Sequence, residues 1–460
     1  MLTDTAQGDS SLGFWPRVRE FAVPASMIEA ATARRRTGDW AGACAAAGVD
    51  VDLDPRAVAR THGCELTARL RADLRHLAPD LLRWHLPRIA PDGLLRPGLT
   101  LALARYDTGG PGGRGPLQLV VRTPPAWAAA GQRISLALRD ATHPGAGARG
   151  HPHPHPSRRF RLDLHRHLWD ARRTGELRTR TGADRPPDAE PIVETPELPA
   201  TLPHGGEAAL DRWADEAALV LRAEGRDTGR VLVRAGAVRL VLDVGLDPVS
   251  GPYALRVAPA AGGDTASALP VLPHAATWVC PDLRLIRAGA IPVERLHPLV
   301  ASALAPECAP TGPPRLRDGA GQPRLVECRG AWHRVGLADG ALAALDHDPA
   351  ELRREELLVA LTGTPLPCLR VIDEAHRHPD CLTGVRERLD HGDIAGALAV
   401  VEGLLGPGAL LRGGALRDAL EAAALGRIAH GLFRAGLADP GPHPVRPAPR
   451  DTRRRPAPSR

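Results

Sequence analysis

Gly38-Asp39-Trp40-Ala41-Gly42-Ala43-Cys44-Ala45 and Gly392-Asp393-Ile394-Ala395-Gly396-Ala397-Leu398-Ala399 are two versions of one phrase, near opposite ends of the chain. Each follows an arginine-containing helical pattern and opens another. A glycine just past a helix takes positive φ at no steric cost. The aspartate then caps the next helix by accepting bonds from its free N–H groups. The small residues that follow let a partner helix approach closely. The phrase therefore predicts a tight helical hairpin at each end. Gly38 and Gly392 should have positive φ, Asp39 and Asp393 should be caps, and Trp40 and Ile394 should be buried against the preceding helices. This is a packing or recognition unit and carries no chemistry of its own.

Working outward from the first copy, residues 1–25 read as an extended lead-in. Ser26 and Glu29 fit a capping box. Asp54-Pro55 opens a helix with a cap and a first-position proline. Leu66, Leu70, Leu74 and Leu77 continue a helical stripe towards Leu81, Leu82 and Trp84. The period then becomes two at 99–103, 117–121 and 134–138. Phe160, Leu162 and Leu164 alternate with Arg161, Asp163 and His165, which predicts a half-buried strand. Prolines at 186, 187, 191, 196, 199 and 203 mark a linker. A helix over 208–223 is followed by a hairpin of 231–233 with 238–242 and by strands at 253–257 and 283–286. A meander over 324–345 comes next. Asp348-Pro349-Ala350-Glu351 opens the closing helices, and Leu416, Leu420, Ile428 and Leu432 carry the last of them to about residue 437.

The fold class expected is α+β multidomain, with helical N- and C-terminal segments around a β-rich middle. The divisions are a helical domain at 1–95, a β-rich domain at 96–182, a linker at 183–206 and an α+β domain with the meander at 207–347. Helical hairpins at 348–437 and a disordered basic tail at 438–460 complete the chain.

A net charge of +6 invites a nucleic-acid reading, which the distribution of charge does not support. Residues 446–460 hold six arginines and one aspartate, leaving 53 arginines against 52 acids in the other 445 positions. The body is charge-balanced, and nucleic acid is not the expected partner. All 59 residues in the lysine-plus-arginine count are arginine, a pattern of high-GC coding. The seven cysteines include no C-x-x-C, which excludes a disulfide framework or thiolate zinc module by spacing and suits a reducing cytosol. The first thirty residues contain Asp4, Asp9, Arg17 and Arg19 and no apolar run of signal-peptide length. No stretch approaches the length of a membrane span. A cytoplasmic protein with no membrane contact is expected.

Residues 324–411 resemble a segment of uncharacterised actinobacterial ankyrin-repeat proteins. Val326-Glu327-Cys328-Arg329-Gly330-Ala331-Trp332-His333 resembles a strand pair that leads there, through helices, to an H-G-D motif, here His391-Gly392-Asp393. The T-P-L-H signature and the 33-residue ankyrin period are absent. The resemblance implies an interaction protein and brings no site residues.

Several constellations could carry chemistry. Asp373-Glu374-Ala375-His376 spells a D-E-A-H box, but a phosphate-binding loop ends in Gly-Lys-Ser/Thr and this chain has no lysine. ATP-driven unwinding is thereby excluded. His376, His378 and Cys381 are competent zinc ligands beside Asp373 and Asp380, against a surface cluster near a helix end. Asp163, His165 and His167 would share one strand face and could supply catalytic zinc ligands, against a polar outer face. Cys328 and His333 flank a turn, where Arg329 could favour a thiolate, against a buried structural cysteine. The common hydrolase, zincin and dinucleotide signatures are absent.

The expectation is a cytosolic, non-catalytic interaction or scaffold module with a protein partner and no cofactor. The alternative is a zinc-dependent enzyme using Asp163, His165 and His167.

Overall fold

In the computed structural model both phrases are helical hairpins of the expected geometry. The structure describes residues 9–107, 116–140, 151–184, 208–247, 251–260, 268–306, 324–328, 330–338, 341–362, 366–370, 372, 382–405 and 414–437. The predicted linker and tail, and His376, His378 and Cys381 with the D-E-A-H letters, lie outside these residues, apart from Ala183 and Asp184 at the linker's start.

Gly38 and Gly392 have φ of 80° and 86°. Asp39 Oδ1 accepts from Gly42 N at 2.8 Å, and Asp393 Oδ1 accepts from Gly396 N at 3.0 Å. The match extends beyond the phrase. The N–H groups of Asp39 and Asp393 donate to the carbonyls of Arg34 and Arg388, five residues back, closing the helix end that precedes each glycine. The same arginines reach the cap carboxylates, at 3.5 Å and 2.7 Å. Gly42 and Gly396 are small for a local reason. A methyl group there would lie 2.0 Å or 2.2 Å from the cap's Oδ2. Trp40 and Ile394 are half-buried, packed at core edges, and so less enclosed than expected.

The N-terminal helices are α1 (Asp9–Arg17), α2 (Ala25–Arg36), α3 (Trp40–Ala46), α4 (Pro55–His62), α5 (Cys64–His76) and α6 (Pro79–His85). Strand β1 (Val49–Asp52) follows α3, and a two-strand ladder β2 (Arg88–Ile89) and β3 (Leu94–Leu95) follows α6. Strands β4 (Thr100–Tyr106), β5 (Leu117–Arg122) and β6 (Ile134–Asp140) form antiparallel neighbours, and β1 joins β6 in parallel. Helix α7 (Leu177–Thr181) ends this part. Helix α8 (Trp213–Ala223) packs on the meander of β7 (Gly229–Ala235), β8 (Val238–Asp247) and β9 (Gly251–Pro259). Then come α9 (His274–Thr277), α10 (Pro281–Arg287) and α11 (Pro298–Leu304). The second meander is β10 (Arg324–Cys328), β11 (Ala331–Ala338) and β12 (Ala341–Ala344). Helices α12 (Pro349–Thr362), α13 (Leu382–His391), α14 (Ile394–Leu405) and α15 (Ala415–Ala435) close the described chain. Helices thus lie at both ends and the sheets between them, an α+β arrangement.

Several expectations are corrected. The lead-in is helical from Asp9, and Phe14, Trp15, Val18, Phe21 and Ala22, at helical spacing, are buried. Helix α2 starts at Ala25 after Pro24, and no side chain caps it, so Ser26 lies inside the helix and forms no capping box. Residues 283–286 are helix, because Pro281 sits at the first position of α10, the signal already read at Pro55 and Pro349. The boundary at 95/96 separates no cores. Leu70, Leu81, Leu101, Leu119, Ile134, Trp169 and Val300 share one cluster. Residues 160–168 form no strand: Arg161 makes one bridge to Ala102, and 166–168 are a 3₁₀ turn.

The C-terminal hairpin docks back on the N-terminal half. Buried Arg83 donates to the carbonyls of Ala22 at 2.9 Å, Gln132 at 2.5 Å and His391 at 3.0 Å. The ring of His391 stacks on Phe21, and Arg17 pairs with Glu387. From α15, His430 Nε2 lies 3.2 Å from Asp50 Oδ2, and Arg434 pairs with Asp52. The alternation Val49-Asp50-Val51-Asp52 thus turns valine towards the core and offers carboxylates to α15. Among the described residues no helix is long and apolar enough to cross a membrane.

Candidate ligand cavity

The turn at 160–168 matters because it folds His165 and His167 inward. Both are buried, and their ring centroids are 5.7 Å apart. Asp163 does not accompany them. Its carboxylate is held by Arg161 at 2.8 Å, a side-chain pair two residues apart that the turn brings together. The predicted strand face therefore does not exist. Among the described residues Asp163, His165 and His167 are not a group with ligand atoms close enough to share an ion.

His165 and His167 instead line a cavity of about 130 Å³ where α1, α6, α7, α8, α9 and the start of α10 meet. Two imidazole–carboxylate pairs stand on its wall. His165 Nε2 lies 3.2 Å from Glu216 Oε2 of α8, with Nδ1 3.0 Å from the Arg161 carbonyl. Arg180 of α7 clamps the same carboxylate at 2.6 Å and 2.8 Å. Burial pushes the Glu216 carboxyl up, but His165 and Arg180 outweigh it and hold it at about 2. His85 Nε2 lies 3.0 Å from Asp282 Oδ2, and its Nδ1 faces the Leu81 and Leu168 carbonyls at 3.1 Å and 3.2 Å. Both ring nitrogens face acceptors, so the ring is anchored on two sides. Trp84 Nε1 and Cys280 Sγ also donate to Asp282.

His85, Cys280 and Asp282 are close enough to hold an ion. Their hydrogen-bonding capacity is, however, already used within the protein. Burial and then Asp282 push the Cys280 thiol well up, which makes it a poor nucleophile.

Other polar groups on the wall are not satisfied in this way among the described residues: Arg212 Nε, His274 Nε2 and Trp278 Nε1, and with them His167 and Arg88. His167 is buried with no hydrogen-bond partner for Nδ1 among the described residues. Burial, then His165 and Arg180, drive its pKa far down, so the ring is neutral. Arg88 is 3% exposed and donates only to the carbonyls of Gly93 and Arg83, each at 2.8 Å. Among the described residues no carboxylate pairs with it, and its Nε is buried without a partner. Burial, then Arg83, push its pKa well down, the direction that burying a cation without a counter-charge gives.

A second cleft, of about 530 Å³, lies beneath α15 and is lined by Asp52, Arg122, Arg133, His151, His430 and Arg434. There Arg133 and His430 meet Asp50 and Arg434 meets Asp52, so much of its charge is neutralised internally.

Sequence reasoning reached His165 and His167 through their spacing but put them on the wrong element. It missed His85, Glu216 and Asp282, which pair with one another or with His165 across many residues and leave no local pattern, and Arg88, whose two carbonyl partners are backbone groups that no letter of the sequence marks. No protein-family model, curated protein or solved structure matches the chain.

Proposed function

We propose that this chain binds a compact anionic small molecule, a carboxylic acid or a phosphate, in the cavity between α1, α6 and α8. The observation that carries the reading is Arg88. Burying a cation without a counter-charge costs several kcal/mol, roughly, and an anion in the cavity that Arg88 lines would supply the missing charge. Neutral His167, with a free ring nitrogen, is a hydrogen-bonding or proton-exchanging group on the same cavity wall. A cavity of about 130 Å³ is far smaller than the ~300–1,000 Å³ of drug-sized sites, which favours a small acid over a nucleotide. The described cysteines, Cys44, Cys64, Cys280, Cys328 and Cys368, are unpaired, which supports a reducing, cytosolic setting.

The test is a thermal-shift and calorimetric screen of small carboxylates and phosphate against the native chain and Arg88→Met. Binding to the native chain that Arg88→Met abolishes is expected. Without ligand, Arg88→Met should be as stable as the native chain or more so, since it removes an uncompensated buried charge. Absence of any anion binding, together with strong destabilisation by Arg88→Met, would make the arginine structural and end this reading.

A second reading, an interaction module with a protein partner, is favoured by the outer face of α15. Leu425, Ile428 and Leu432 lie at helical spacing and are 66%, 59% and 43% exposed. If that face seats a partner, a protein recovered with the native chain should be lost from Ile428→Asp with the melting temperature unchanged.

A further inference from the structure

Cys328, His347 and Cys368 come from three separate elements: the end of β10, the turn after β12 and the helical segment at 366–370. No local spacing links them, yet one ligand atom from each lies within 4.8 Å of those of the other two. The meander explains part of this. Val326 pairs with His333 and Cys328 with Ala331, so Val326, Cys328 and His333 share a face, which buries Cys328 against the segment carrying Cys368. The third strand returns the chain to the same end, and Leu345 N donates to the Arg334 carbonyl just before His347. His333 stacks on the His347 ring, with centroids 4.1 Å apart and planes 13° from parallel, and so fixes its orientation.

We propose that Cys328, Cys368 and His347 bind a zinc ion, with the fourth position open to water or another exogenous ligand and His333 as a positioning residue. Two thiolates and an imidazole are the donor set that selects zinc among the common divalent ions. A tetrahedral zinc with bonds of about 2.3 Å to sulfur and 2.0 Å to nitrogen sets its ligands roughly 3.5 Å apart, so a cluster within 4.8 Å needs a closure of at most about 1.3 Å. Binding exchanges the two thiol protons for the cation and releases them to solvent.

Two further observations point the same way. His333 Nδ1 and His347 Nε2 are buried without a hydrogen-bond partner among the described residues. That contrasts with His85, Cys280 and Asp282, whose hydrogen bonds are made within the protein. Among the described residues the buried core under this meander is Val326, Cys328, Val335, Ala344 and Cys368, so two of the three ligands are themselves core residues held by its packing.

The experiment uses the full chain, purified with reductant and without chelator, then reconstituted with zinc and measured by elemental analysis. One equivalent is expected, with loss in Cys328→Ala and in Cys368→Ala, weakened retention in His347→Ala, and full retention in Cys280→Ala. If a cysteine variant fails to fold, titrating the native apo-protein with cobalt keeps the question open to measurement. Thiolate-to-cobalt charge transfer and tetrahedral d–d bands support the site. Their absence, a Cys328–Cys368 disulfide in the reduced preparation, or zinc retained by the Cys328→Ala/Cys368→Ala double variant would overturn it.

Discussion

Gly38 and Gly392 are the same residue in the same local geometry, so replacing each by alanine separates backbone strain from tertiary docking. Their φ values of 80° and 86° impose the same left-handed penalty on any Cβ, about 1 kcal/mol. At Gly38 the added methyl meets nothing within 4 Å. At Gly392 it would lie 2.0 Å from the Gly131 carbonyl oxygen and 2.7 Å from its carbon. Those atoms are backbone and cannot rotate away, so the hairpin must lift by more than an ångström to reach ordinary contact at 3.4 Å. Lifting it pulls the His391 carbonyl from Arg83, which is 2% exposed and has only carbonyl partners here. A hydrogen bond to a charged group is worth about 1.5–3 kcal/mol, and loosened packing at the seam adds to that.

Gly392→Ala should therefore cost about 3–5 kcal/mol, against about 1 kcal/mol for Gly38→Ala. Urea denaturation followed by tryptophan fluorescence and far-ultraviolet circular dichroism gives both values. Hydrogen exchange should also rise around 126–132 in the Gly392 variant alone. Equal losses in the two variants would mean that the C-terminal hairpin does not rest on the Gly131 turn, and the reasoning would fail.

Two further expectations concern local chemistry. Asp393→Ala should cost about 0.5–2 kcal/mol, and Gly396→Ala about as much, because its methyl would displace the same carboxylate. The double variant should cost less than the sum, since alanine no longer meets a cap and favours helix by about 1 kcal/mol over glycine; strict additivity would show that the methyl does not displace the cap. Stability should also fall on acidification. Burial, then Arg88, Arg83 and Arg17, lower His391 to about 3, against about 6.5 when unfolded. Its contribution is complete above the unfolded value, because the neutral ring is the folded form. It is lost as pH drops from about 6.5 towards 3, at about 1.4 kcal/mol per pH unit. His167, lowered in the same sense by burial, adds to the slope. Denaturation midpoints of His391→Gln between neutral and mildly acidic pH should show a slope shallower by about one proton; an unchanged slope would remove His391 from the account.

What could be read in the sequence is what chain neighbours decide among themselves. Asp39, Asp54, Asp348 and Asp393 bond N–H groups two or three residues ahead, so their caps are visible as letters. The alternating strands β4 to β8 and the second meander were legible for the same reason. Residues 160–168 misled because alternation is only a necessary sign of a strand. Here Arg161 and Asp163 pair across a turn, and His165 and His167 go inward, where His165 meets Glu216 and the two rings lie edge to face. The segment Val49–Asp52 was missed because aspartate is poor in strands unless a partner neutralises it, and its partners, Arg133, His430 and Arg434, come from far along the chain.

The repeated phrase shows where local determination ends. Both copies share the arginine five residues before the cap, the left-handed glycine, the capping carboxylate and the small residue beneath it. Nothing in those letters says that the first hairpin leaves its glycine open while the second presses it against Gly131. That difference arises outside the phrase. His391, just before Gly392, gives its carbonyl to Arg83 and its ring to Phe21, whereas Thr37, at the matching position, uses its hydroxyl on the Arg34 carbonyl within its own helix. The residue preceding the glycine, polar and self-satisfied in one copy and buried in the other, therefore marks the hairpin that closes the chain on itself without selecting it alone. Exchanging Thr37 and His391 should weaken the C-terminal seam without conferring docking on the N-terminal hairpin, because Arg83 and Phe21 face only one of them.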